Sequence, residues 1–128
     1  MRRFDDAIPI YVQIAEEIRT QILSGELAEG TRLTSTTEYA TRYRINPATA
    51  NKAVALLVDE GLVVKRRGIG MFVADGALAD LRRSRRAAYT DDVLHPALDT
   101  GLALGLDDAE LRDAVVQYLE SHARKESQ

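Results

Sequence analysis

The 128-residue chain has no cysteine and no tryptophan, only two histidines and three prolines, and no apolar run near the ~18 to 20 residues that span a bilayer. Without cysteine there is no disulfide, no zinc-thiolate or iron-sulfur site and no thiol nucleophile. The opening segment MRRFDDAIPIYVQ carries two arginines but neither an apolar signal core nor a small-residue cleavage site. The expectation is a cytoplasmic chain, neither inserted nor exported. Catalytic signatures are missing too: there is no glycine-rich phosphate loop and no G-x-S-x-G, and Gly68-Ile69-Gly70 lacks the strand-to-helix context of a dinucleotide fingerprint. An enzyme is not expected, nor a cofactor.

What is present is a globular composition, 45% hydrophobic and 29% charged, in a length that suits one small domain with an appendage. The net charge of −3 argues against a polyanionic partner until its distribution is read. Residues 32 to 72 hold seven basic against three acidic side chains, a local charge of +4. From residue 87 onward three basic residues face nine acidic ones, a local charge of −6. An acidic end masks a basic middle.

Ile14, Ile18 and Ile22 recur every four residues and predict a helix from about Tyr11 to Ser24, stopped by Gly25. Thr31 to Leu33 is β-prone but short. Ser35 and Glu38 have capping-box spacing, so a brief second helix is predicted from about Thr36 through Tyr43. Asn46-Pro47 opens a third, with Ala50, Ala53, Val54 and Leu57 on its apolar face and Gly61 at its end. Two helices joined by a tight turn are the elements of a helix-turn-helix. Leu62 to Lys65 and Met71 to Val73 then read as a hairpin with the basic tip Arg66-Arg67-Gly68, which completes a winged helix. Further helices are predicted over 77–88, over about 93–104 with Pro96 kinking or dividing it, and over 107–123 with Leu111, Val115, Tyr118 and Leu119 as its stripe. Lys125 to Gln128 read as a frayed end.

The third helix exposes Ala48, Thr49, Asn51, Lys52 and Ala55, a set small enough to let its backbone enter a major groove about 12 Å wide. Asn51 suits an adenine edge, Thr49 a thymine methyl or a phosphate, and Lys52 a guanine or a phosphate. Ser35 and Thr36 sit at a helix N-terminus, where backbone N–H groups favour an anion; Ser35 serves equally as a cap. Arg42 and Arg44 fit phosphate contacts or an ion pair with Glu38 or Asp59. Lys65, Arg66 and Arg67 lead to Gly68, a tip with no Cβ that suits a narrow minor groove. Arg82, Arg85 and Arg86 share a helix face and suit salt bridges across a dimer, a phosphate rail or plain solvation. His95 lies at helical spacing from Asp91, Asp92 and Asp99, and the simpler reading is an interface histidine rather than a metal ligand.

The string Pro9-Ile10-Tyr11-x-Gln13-Ile14, then Ile18, Ile22, Gly25, Gly30, Leu33, Ser35, Glu38, Ala40, Asn46, Pro47, Thr49, Ala53, Leu57, Gly61-Leu62 and Arg67-Gly68-x-Gly70-x-Phe72-Val73, resembles the DNA-binding domain of the GntR family of bacterial transcription regulators. The likeness covers about residues 8 to 74, and the short helical tail looks most like the YtrA subfamily, whose two tail helices dimerise. Glu29 and Thr34 stand where the family has proline, and Thr37 where it has an arginine that approaches DNA. These readings and the resemblance together give a DNA-binding set of Ser35, Thr36, Arg42, Arg44, Asn46, Thr49, Asn51, Lys52, Lys65, Arg66, Arg67, Gly68 and Gly70, and the tail's apolar stripe, too much surface to leave wet, gives a dimerisation set of Leu98, Leu102, Leu104, Leu111, Val115, Tyr118 and Leu119.

The expected fold class is therefore α+β, mostly α: a winged helix-turn-helix over residues 1–75 and an all-helical dimerisation tail over 76–128. The expected function is that of a homodimeric transcription regulator, a repressor, on a near-palindromic operator in double-stranded DNA. Two alternatives stay open: a winged helix that binds protein instead, and a sensor holding a small-molecule effector between the tail helices near Pro96.

Overall fold

The computed structural model describes residues 4–126, and the chain divides after Ser84 into two compact units. In the first, α1 (Ile10–Ser24) buries Ile14, Ile18 and Ile22 on one face and ends at Gly25, whose φ of 86° suits a residue without Cβ. Gln13, the buried polar residue of this helix, holds the preceding segment in place. Its side-chain nitrogen donates to the carbonyls of Asp5 (2.7 Å) and Ile8 (2.8 Å), and its oxygen accepts the Asp5 N–H at 2.8 Å. A buried amide so paired costs little, and it explains a glutamine on an otherwise apolar stripe.

Helices α2 (Thr36–Tyr43) and α3 (Pro47–Asp59) pack on α1 and on each other through Tyr39, Ala50, Ala53, Val54 and Leu57. The capping chemistry read from sequence is formed: Ser35 Oγ accepts the Glu38 N–H at 3.1 Å, and Asn46 Oδ1 accepts the Ala48 N–H at 2.8 Å. Between the helices Arg44 adopts a left-handed conformation, φ 54° and ψ 50°, which turns the chain sharply enough for the Ile45 N–H to reach the Ala40 carbonyl at 3.0 Å. Arg19 of α1 donates to Glu60 just beyond α3 (Nε to Oε1, 3.0 Å), and this bond, the largest influence on it, raises the guanidinium pKa further.

Strands β1 (Val63–Arg66) and β2 (Gly70–Val73) form the antiparallel wing, in register Val63 with Val73 and Arg66 with Gly70. The short β-prone stretch joins it: Arg32 bridges Phe72, the Leu33 N–H donates to the Met71 carbonyl at 2.8 Å, and the Val73 N–H donates to the Thr31 carbonyl at 2.9 Å. Helix α4 (Ala77–Tyr89) starts inside this core, with Ala77 and Leu81 buried among its members and the Leu78 N–H donating to Glu29 at 3.3 Å.

The second unit differs from expectation just before Pro96, in the gap between the helices read as 77–88 and about 93–104. The predicted break between the first two tail helices is absent, and a π-helical turn, Thr90–Leu94, leads into α5 (His95–Ala103) without leaving helical backbone. Proline at the start of α5 has no N–H to donate and its ring crowds the carbonyl four residues back, so a widened turn before it, with the His95 N–H donating to the Thr90 carbonyl, relieves both. Gly105, φ 91°, closes the segment. Helix α6 (Asp108–Glu126) opens on a reciprocal cap, the Glu110 N–H donating to Asp107 Oδ1 at 2.8 Å and the Asp107 N–H to Glu110 Oε1 at 3.3 Å. It continues through Lys125 and Glu126, where fraying was expected; the rest of that expectation lies outside the described residues. Gly101 packs tightly against Leu111, since a methyl group added there would lie 2.7 Å from a Leu111 methyl carbon.

Candidate nucleic-acid interface

The start of α2, the exposed side of α3 and the wing enclose an open cleft of about 390 Å³. Seven of the expected DNA-binding residues line it: Ser35 and Thr36 from the α2 terminus, Asn51 from α3, and Lys65, Arg66, Gly68 and Gly70 from the wing. Arg32, Thr34 and Ile69 line it as well and were not singled out from sequence. The signal for Arg32 was a cation inside the β-prone Thr31–Leu33 stretch, where alternation sends it away from the buried side of Leu33. No carboxylate is among the lining residues.

Cap formation and wing pairing decide which groups remain free for a ligand. Asn46 is committed to its cap through Oδ1, so its structural role is served whatever else it touches. On the wing, the Arg66 guanidinium lies 4.5 Å from the Phe72 ring centroid, a cation–π contact that holds it over β2. Gly68 at the tip has φ 76°, a left-handed turn residue.

The other expected residues lie outside the cleft lining. Arg42 and Arg44 are exposed, and among the described residues neither forms the ion pair with Glu38 or Asp59 that was the alternative for them. Lys52 places Nζ 4.3 Å from the centroid of the Tyr11 ring on α1, on a different side of α3 from Asn51. Thr49 is half-buried and Arg67 exposed. Arg83 pairs with Asp80 within its own helix at 3.1 Å, and His95 Nδ1 stands 3.8 Å from Asp91.

Behind the interface, Tyr39 and Tyr43 stack with ring centroids 5.9 Å apart. Burial pushes the Tyr39 hydroxyl up to about 12. Burial also raises Tyr43, with a further rise because its hydroxyl donates to Glu17 at 3.0 Å.

In the second unit, Leu98, Leu102, Leu111 and Val115 line an apolar groove of about 460 Å³ between α5 and α6, joined by Leu94, Val116, Asp108 and Arg112. Leu104, Tyr118 and Leu119 do not line it and are exposed, at 77%, 69% and 59%. No residue of α6 is fully buried, and Leu111, against Gly101, is half-buried.

A three-helix unit whose second and third helices make a helix-turn-helix, followed by a basic hairpin, is a winged helix-turn-helix of the class that reads DNA. The sequence pattern "Bacterial regulatory proteins, gntR family" matches residues 10–73, and the chain belongs to that family. It is similar to the HTH-type transcriptional repressor YtrA of Bacillus subtilis, 30% identical over 95 residues that cover 74% of this chain and 73% of that one. Among solved structures, a GntR family transcriptional regulator from Listeria monocytogenes superimposes with a TM-score of 0.69 and 28% identity, over 89% of this chain and 98% of that one. The AraR DNA-binding domain, solved in complex with operator ORX1, matches 58% of this chain and 90% of its own with a TM-score of 0.51 and 28% identity. Some curated relatives are longer, and the chain spans 40% of the length of one repressor with which it shares 35% identity.

Proposed function

We propose that the chain is a sequence-specific, DNA-binding transcription regulator that acts as a homodimer and represses from a near-palindromic operator, and that it works in the cytoplasm where bacterial DNA is. The observation that carries this reading is the cleft between α2, α3 and the wing, lined by three cations and no carboxylate in a chain whose net charge is −3. Asn51 serves base readout, while Ser35, Thr36, Lys65 and Arg66 bind phosphates and Gly68 enters the minor groove. Arg42, Arg44, Thr49, Lys52 and Arg67 flank that core and supply backbone contacts.

Dimerisation rests on the second unit. A helix with no fully buried residue, beside an apolar groove and exposed Leu104, Tyr118 and Leu119, is more apolar surface than a monomer leaves wet. A second copy related by a two-fold axis covers it, and that symmetry dictates two like half-sites. The same groove favours a second, subordinate reading, a small apolar effector held there by Asp108 and Arg112 at its polar edge.

Selection of DNA from a random pool by the purified chain, followed by sequencing, tests the main reading. Two-fold symmetric sequences are expected; recovery of unenriched sequence would overturn it.

A further inference from the structure

We propose that Arg32, outside the helix-turn-helix, clamps the DNA strand that runs between the two grooves. This rests on the DNA-binding reading above and adds one contact to it. If α3 lies in the major groove and the Gly68 tip in the adjoining minor groove, the sugar-phosphate strand separating those grooves has to cross the cleft between them. That cleft is where Arg32 projects.

The local structure fixes the backbone that carries the side chain. Hydrogen bonds on both sides, Leu33 N–H to Met71 and Val73 N–H to Thr31, tie Arg32 to β2 opposite Phe72. Its guanidinium then lies against the Gly70 backbone, so closely that a methyl group on Gly70 would sit 2.8 Å from Nε and 3.3 Å from Cζ. Among the described residues Arg32 has no ion-pair partner, although the chain carries more acidic than basic side chains. An exposed guanidinium seated on backbone faces Lys65 and the α2 N-terminus across the cleft, and although Glu38 lines the adjoining pocket on its other side, no ion pair compensates it; that is the environment of a phosphate ligand, which its forked donors match bidentately.

The test uses the full chain and the operator it selects from a random pool. Arg32→Ala is expected to lower affinity roughly tenfold or more, equally on operators altered at single base pairs. Its plot of log affinity against log salt should be shallower by about 0.9 per half-site, the signature of one lost phosphate contact. Arg32→Lys should keep the wild-type slope. Both variants change an exposed side chain and should melt as the wild type does. Unchanged affinity and slope in Arg32→Ala, or a loss confined to one base pair, would overturn the clamp. A wild-type chain that selects no DNA would remove the DNA-binding reading itself, and the clamp with it.

Discussion

Within the cleft, residues of like exposure have different expected effects because the proposed reading assigns them to different parts of DNA. Asn51 stands on α3, and Asn51→Ala is expected to reduce discrimination at one base pair per half-site by about 1 to 3 kcal/mol. Lys65→Ala should instead weaken all sequences alike and flatten the salt dependence. Titration of single-base operator variants separates the two, and a uniform loss from Asn51→Ala would reassign it to the backbone. Tyr39 supports a pH prediction. In the folded chain it keeps its proton up to about 12, whereas unfolded it ionises near its ordinary value of about 10. Folding therefore binds a proton between those values, and stability should fall as pH rises through that window. Thermal melts of Tyr39→Phe should show a smaller alkaline loss than wild type; identical pH profiles would mean that Tyr39 is not the group responsible.

At the scale of elements, caps and turns fix where α2 and α3 begin, and so where the cleft opens. Asn46→Ala removes the bond to the Ala48 N–H and should cost about 1 kcal/mol of stability, measured by denaturant unfolding. If binding falls while stability stays unchanged, Asn46 acts on DNA rather than as a cap. Capping was legible because Ser35 to Glu38 and Asn46-Pro47 are local chemistry, decided by residues within one turn. The π-helical turn before Pro96 was not legible, since proline's missing donor can be met by a break, a kink or a widened turn, and the sequence does not choose between them. Nor was the tight seat of Gly101 on Leu111, which requires knowing that α5 and α6 pack at that point.

For the whole molecule, the test of dimerisation depends on where the chain is cut. Ala77 and Leu81 belong to the winged-helix core, so removal of everything after residue 75 would damage the reader, whereas ending the chain at Ser84 keeps both. The 1–84 fragment is expected to fold, to sediment as a monomer and to bind the operator far more weakly, because two tethered readers gain from effective concentration. A dimeric fragment would place the interface elsewhere. In the full chain, Tyr118→Glu puts a charge on an exposed face of α6 and should dissociate the proposed dimer without lowering the monomer's helix content by circular dichroism.

The amino-acid sequence alone determined the helical periods, the caps, the basic middle beneath an acidic total and the family likeness, because each depends on residue spacing along the chain. Seven residues of the cleft lining were legible for the same reason, among them Asn51, Lys65, Arg66 and Gly68, which lie in recognisable motifs. Only the tertiary structure decided which of them share one cleft, that Lys52 rests against Tyr11, and that Arg32 meets Gly70. Those are contacts between residues 38 to 41 positions apart, and no local pattern carries them, since they exist only once the wing folds back beside Arg32 and α1 packs along α3.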